Sequence, residues 1–181
     1  GLNLGEGAGF IVIESEKAAK GKEILAELSG YGNANDAYHQ TASSPDGAGA
    51  LLAMEKAFKI ANLKPSDIDY INAHATSTPA GDSSEARAIH EVFAQQRPLV
   101  SSTKSMTGHE CWMAGASEII YSVLMMQNSF VAPNINFENP DEDSAKLNIA
   151  KSTTEKDIVV FLSNSFGFGG TNSSLIVRKL I

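Results

Sequence analysis

The sequence predicts an α/β domain on two observations. Strand-like and helix-like stretches alternate along most of its length, and the last two strand-like stretches are joined by a turn too short for a crossover. A third observation gives the domain a site, because chemically able side chains gather just after the strand-like runs. The 181 residues suffice for one domain with its own core, and 43% hydrophobic with 19% charged residues is a globular composition.

The first elements are short. "GFIVIES" (9–15) reads as a strand and "EKAAKG" (16–21) as a short helix stopped by Gly21. "ILAELSGYGNAND" (24–36) is a second strand running into a loop rich in glycine and asparagine. From Gly47 to Ala61 the pattern is helical, with Leu51, Met54, Phe58 and Ala61 spaced to share a face. "DIDYINAH" (67–74) is a strand that ends on a histidine. Asp82 and Glu85 stand at capping-box spacing and open a helix that runs to about Ala94.

"PLVSST" (98–103) is the next strand, and "MAGASEIIYSVLMMQ" (113–127) is a helix apolar nearly all round, which predicts burial. "DIVVFLSNS" (157–165) and "SSLIVRK" (173–179) are antiparallel neighbours with "FGFGGTN" turning between them. No sequence repeat or low-complexity segment interrupts this order.

His74 follows one strand, Lys104 and His109 follow another, and "NSFGFGG" follows a third. Open α/β sheets bind ligands beyond the carboxyl ends of their strands, so these three loops are expected to converge on one cleft. Taken singly, each has an ordinary reading. His74 and the Lys104–His109 stretch have surface-loop compositions, and "FGFGGTN" could be a plain hairpin turn. Two phenylalanines among three glycines exceed what a turn needs. Glu118 lies in the apolar helix, where a carboxylate costs several kcal/mol unless paired, and Lys104 is the cation proposed for it.

Other classes are disfavoured. One cysteine, Cys111, leaves no internal disulfide, and four scattered histidines show no zinc spacing, so no metal is expected and a reducing, cytoplasmic setting is. A net charge of −7 argues against nucleic acid, and no apolar run approaches the roughly 20 residues that span a bilayer. "GEGAG" (5–9) precedes a strand instead of linking a strand to a helix, which counts against a nucleotide-binding loop. The chain opens without Met on this glycine-punctuated approach and reads as a piece of something longer.

"NAHATSTPAGD" (72–82), "SSTKSMTGHE" (101–110) and "NSFGFGGTN" (164–172), in this order, resemble the C-terminal half of β-ketoacyl-acyl carrier protein synthases, most closely the elongating type II enzymes. "LGEGAGFIVIE" and "APNINFENPD" (132–141) extend the resemblance over essentially the whole chain. It implies a thiolase-like fold, with a mixed, mostly parallel sheet carrying helices on both faces. Residues 1–30 would be a remnant of the N-terminal half, and 31–181 the C-terminal domain.

The implied activity is decarboxylative condensation of malonyl-carrier protein with an acyl thioester, in fatty acid or related polyketide or polyene synthesis. The resemblance maps the family's histidine pair onto His74 and His109, its active-site lysine onto Lys104, and the glutamate that holds the lysine onto Glu118. Thr76 and Thr78 match the threonines that bond the phosphopantetheine arm, and Phe168 the gatekeeper whose N–H also serves an oxyanion hole. Phe166 is expected at the pocket wall. The implied partners are acyl carrier protein, malonyl and acyl thioesters, and a second copy in a homodimer. No cofactor is implied beyond the phosphopantetheine that enters on the carrier protein.

Three departures stand out. Ala75 replaces the usual glycine after the first histidine and predicts an ordinary φ. "ECWMAG" replaces a small, glycine-rich run after the second, so Trp112 and Met113 bear on substrate size or local packing. The family's nucleophilic cysteine belongs to the N-terminal half, and Cys111 lacks its context; a buried small hydrophobe is the preferred reading, an activated thiol the other. A chain-length-factor-like subunit without catalysis is the competing function, although such subunits tend to lose both histidines.

Overall fold

The computed structural model describes residues 1–180. Its main sheet runs from edge to edge through β1 (Glu27–Asn35), β8 (Thr171–Arg178), β7 (Val160–Gly167), β2 (Tyr70–Asn72), β3 (Leu99–Ser101) and β5 (Asn148–Ile149). The β1–β8 and β8–β7 pairs are antiparallel, while β7–β2, β2–β3 and β3–β5 are parallel. The sheet is therefore mixed and mostly parallel. Two short strands, β4 (Phe130–Val131) and β6 (Thr154–Glu155), pair separately.

Consecutive strand residues face opposite sides, and here each side is covered. Ile71, Val100, Leu162 and Ile176 meet Met54, Ala57 and Phe58 of α2 (Ala48–Ala61) and Ala88, Ile89 and Phe93 of α3 (Pro79–Phe93). Their neighbours Tyr70, Phe161 and Val177 meet Met125 and Met126 of α5 (Ala114–Gln127) on the other side. The two remaining helices are single turns, α1 (Glu16–Ala19), capped by Ser15, and α4 (Lys104–Thr107).

The seam between β1 and α2 is the tightest in the fold. A Cβ on Gly32 would fall closer than 3.0 Å to the main chain of Ala53 and Ala57, and one on Gly30 would strike Ala57. Small residues on both elements, with Ala53 and Ala57 fully buried, let backbone lie on backbone.

Four expectations need correction. Residues 9–15 form no strand: they find no ladder partner among the described residues, and Phe10 stays 94% exposed. Helix α3 starts at Pro79, ahead of the proposed capping box, because proline suits the first helical position. Asp82 instead reaches back to accept the Ser77 N–H, and Glu85 turns into the core. Helix α5 is only half-buried: Ser117, Glu118 and Ser122 point inward with Met125 and Met126, while Leu124 is exposed. The buried stripe of α2 centres on Ala53, Met54, Ala57 and Phe58, leaving Leu51 and Ala61 at its edge.

Gly32→Ala is expected to destabilise the domain by about 1–3 kcal/mol, the usual cost of overpacking. The measurement is a urea melt, in which the midpoint falls without a change in slope. An unchanged midpoint would mean that the β1–α2 seam has slack.

Candidate active site

Because β7, β2 and β3 are parallel neighbours, their carboxyl ends share one edge of the sheet. His74 lies just past β2, Lys104 and His109 follow β3, and Phe166 closes β7. The loops converge. The His74 and His109 rings meet edge to face with centroids 5.6 Å apart, and Phe166 stands 5.7 Å from His74.

His74 is fixed through its backbone. Glu85 accepts the N–H of His74 at 3.0 Å and that of Ala75 at 2.8 Å, and Asn164 donates to the same carboxylate at 3.1 Å. Ser174 in turn donates to Asn164, so the clamp reaches β8. Burial raises the Glu85 carboxyl above its usual range, opposed by these donors. Ala75 does not have the ordinary φ expected of it. Its φ is +20°, a turn that Glu85 on its N–H and Ser102 on its carbonyl hold in place.

Both imidazoles are held neutral. Burial, then Lys104 and His109, depress His74 to about 3. Burial and Lys104 also lower His109, against an opposing pull from Glu110. The Nδ1 of His109 accepts the Cys111 N–H at 3.2 Å, so its proton sits on Nε2, free to donate. Its main chain is tied to the N-terminal segment: the N–H donates to Asn3 O at 2.7 Å, and the carbonyl accepts from Gly5 N at 2.9 Å.

Lys104 and Glu118 form a buried ion pair. Burial pushes the Glu118 carboxyl up to about 7 despite the lysine beside it. Beneath the pair, Asn72 donates to Ser122, and Ser122 to the Glu118 carbonyl. The Asn72 Oδ1 and the Glu118 Oε2 are buried without a partner among the described residues.

Thr76 and Thr78 lie at the rim, half-buried, with hydroxyls 3.1 Å apart. Phe168 is 81% exposed, unlike Phe166. Its loop is tethered from behind: Asn35 donates to Gly169 O, Gly169 N to Gln40 O, and Asp36 N to Gly170 O. Cys111 is exposed at φ +53°, which overturns its reading as a buried hydrophobe. The turn that brings its N–H to the imidazole faces its side chain outward, and Trp112 beside it is fully exposed. Sequence reasoning missed the supporting shell of Glu85, Asn164, Asn72 and Ser122. A polar residue within a run that otherwise reads as core was the available signal.

The sheet order and this cleft make the molecule one half of a thiolase-like fold, and comparison with known proteins agrees. Residues 25–138 match the family model for the β-ketoacyl synthase C-terminal domain. Over 99% of its length the chain is 45% identical to 3-oxoacyl-[acyl-carrier-protein] synthase 1 of Escherichia coli and 47% identical to the mitochondrial 3-oxoacyl-[acyl-carrier-protein] synthase of Arabidopsis thaliana. It spans 44% and 41% of those proteins. Among solved structures, the ishigamide ketosynthase/chain length factor superposes with a TM-score of 0.93 at 35% identity, over 100% of this chain and 45% of that one. A β-ketoacyl synthase from Burkholderia phymatum gives 0.86 at 35%, over 93% and 41%. The chain belongs to the β-ketoacyl synthase family.

Lys104→Met should cost about 3–5 kcal/mol by stranding a buried carboxylate, and adding Glu118→Leu should recover most of it. Thermal melts of the two variants check this. An unchanged melting temperature in Lys104→Met would break the pairing argument.

A second prediction follows from neutral His74. Its usual value is 6.5, so between pH 6.5 and about 3 the unfolded chain binds the extra proton. The stability His74 contributes is complete above pH 6.5 and falls on acidification, by at most about 1.4 kcal/mol per pH unit. Imidazole nitrogen NMR should find His74 uncharged at pH 5. A His74 that titrates between pH 6 and 7 would refute the prediction.

Proposed function

We propose that the chain supplies the decarboxylating side of a β-ketoacyl-acyl carrier protein synthase. Residues 1–30 belong with the N-terminal half of that enzyme and 31–181 form its C-terminal domain. The observation that carries this reading is the pair of imidazoles meeting at 5.6 Å, backed by a buried lysine.

In the proposed reaction an acyl group waits as a thioester on a cysteine from the other half. The malonyl group enters on phosphopantetheine borne by acyl carrier protein, with the Thr76 and Thr78 hydroxyls facing the arm's amides. Its C–C bond to the carboxylate breaks, CO2 leaves, and the electron pair moves toward the thioester oxygen. His74 and His109 donate to that oxygen as charge builds, an interaction much stronger in the transition state than before it. The carbanion then attacks the acyl carbonyl, and the cysteine sulfur departs. Phe168, which is exposed on a loop tied down behind it at Gly169 and Gly170, gates the acyl pocket, with Phe166 at the pocket wall.

Several similar solved structures contain a chain length factor. That alternative is disfavoured, because His74, His109 and Lys104 are all present and grouped. Cys111 is exposed beside His109 but belongs to the histidine's own loop, so it is no substitute for a nucleophile opposite the pair.

In the complete enzyme, His74→Ala or His109→Ala should reduce CO2 release by about 100- to 1000-fold, the cost of one lost oxyanion donor, while cysteine acylation survives. Wild-type CO2 release in both would sink the assignment. This 181-residue chain alone should form no β-ketoacyl product from acyl and malonyl carrier proteins. Product that vanishes with Cys111→Ser would make Cys111 the nucleophile instead.

A further inference from the structure

The motif "GEGAG" has no part in the chemistry above, yet it lies against the loop that carries His109. Residues 3–9 lie along that loop, and among the described residues one isolated bridge joins the two, Leu4 beside His109 in parallel. It uses both main-chain groups of the histidine, the N–H to Asn3 O at 2.7 Å and the carbonyl from Gly5 N at 2.9 Å. A backbone held at both its polar groups has little freedom to shift along or turn about the segment.

The glycines explain the closeness. Gly5, Gly7 and Gly9, at alternate positions, all turn toward the His109 loop and α5. A Cβ on Gly5 would fall closer than 3.0 Å to the Thr107 carbonyl. One on Gly7 would strike the Met113 methyl and stand 2.7 Å from Glu110 Oε1, and one on Gly9 would stand 3.1 Å from Ile120 Cδ1. From the other side a Cβ on Gly108, which is itself at φ +76°, would stand 3.0 Å from Gly5 N. The face is bare of side chains, so that main chain lies on main chain at Gly5 and packs against the side chains of Glu110, Met113 and Ile120 at Gly7 and Gly9. Glu110 adds a second tie, since its carboxylate accepts from Ser117 of α5.

We infer that residues 3–9 are the positioning element for His109, a rail that sets the height of its imidazole over His74, with Gly5 the position least open to change. The inference rests on the reading of His109 as a donor to the enolate. It also ranks the glycines. At Gly5 the obstacle is a carbonyl in the backbone, which cannot yield without moving the loop. At Gly7 it is the ends of two flexible side chains, which can.

The test uses the complete synthase, with CO2 release from malonyl-carrier protein and acyl transfer to the cysteine measured separately. Gly5→Ala should lower decarboxylation about 100-fold, the scale of a reacting group misplaced by ~1 Å, with acyl transfer within about twofold. Gly7→Ala should show a smaller loss that Met113→Ala restores, a rescue that a general folding defect would not show. Full decarboxylation in both glycine variants, beside a dead His109→Ala, would overturn the inference and leave the role of His109 intact. An active His109→Ala would overturn the underlying reading instead. Should Gly5→Ala lose acyl transfer as well, Gly7→Ala decides: loss restored by Met113→Ala upholds the rail, and no loss overturns it.

Discussion

One carboxylate holds the cleft together. Glu85 lies on α3, yet its oxygens accept from the main chain after β2 and from Asn164 on β7, which Ser174 braces from β8. Four elements meet at one buried charge. Three N–H donors offset what burial costs it, and each donor belongs to a segment the site needs still. The position of His74 therefore follows from the sheet and α3 together, since the loop that bears it is too short to fix itself.

The ion pair of Lys104 and Glu118 plays the matching part on the β3 side. Lys104 opens α4 and Glu118 faces inward from α5, so their contact pins the one turn before the His109 loop to the helix after it. The polar inward face of α5 then has a reason. Glu118 needs the lysine, and Ser122 links the helix to Asn72 at the end of β2. Leu124 is left exposed on this helix, whose inner face is given partly to hydrogen bonds.

Much of this could be read in the sequence, and the reasons divide by range. Short strand-like runs marked β2, β3, β7 and β8, and polar residues at their ends marked the cleft, because both signals are local. The Lys104–Glu118 pairing was also legible, since an isolated carboxylate in an apolar helix demands a cation. Residues 9–15 have the composition of a strand, but a strand exists only where a ladder partner lies alongside, and composition does not report one. Glu85 at capping-box spacing imitated a local signal while serving a contact with Asn164, 79 residues away. The strained Ala75 was hidden for the same reason: the groups that hold its φ come from α3 and from Ser102.

The charges in the cleft are arranged so that the donors carry none. Lys104, a buried cation, is engaged by Glu118, and burial together with the field of the lysine lowers the pKa of both imidazoles and so favours their neutral form. That matters for the proposed reaction, in which negative charge moves. An imidazolium would attract the malonyl carboxylate before it leaves and so stabilise the ground state along with the transition state, which lowers KM without raising kcat. A neutral N–H binds a carboxylate or a carbonyl modestly and an emerging enolate oxygen strongly, because its dipole is already aimed and costs no reorganisation. Depressing the histidines thus biases the site toward the later charge. In that proposal, the same desolvation that disfavours a second proton on His74 also makes its N–H the more effective donor, so the acid sensitivity expected of the fold and the selectivity expected of the donor share one physical cause.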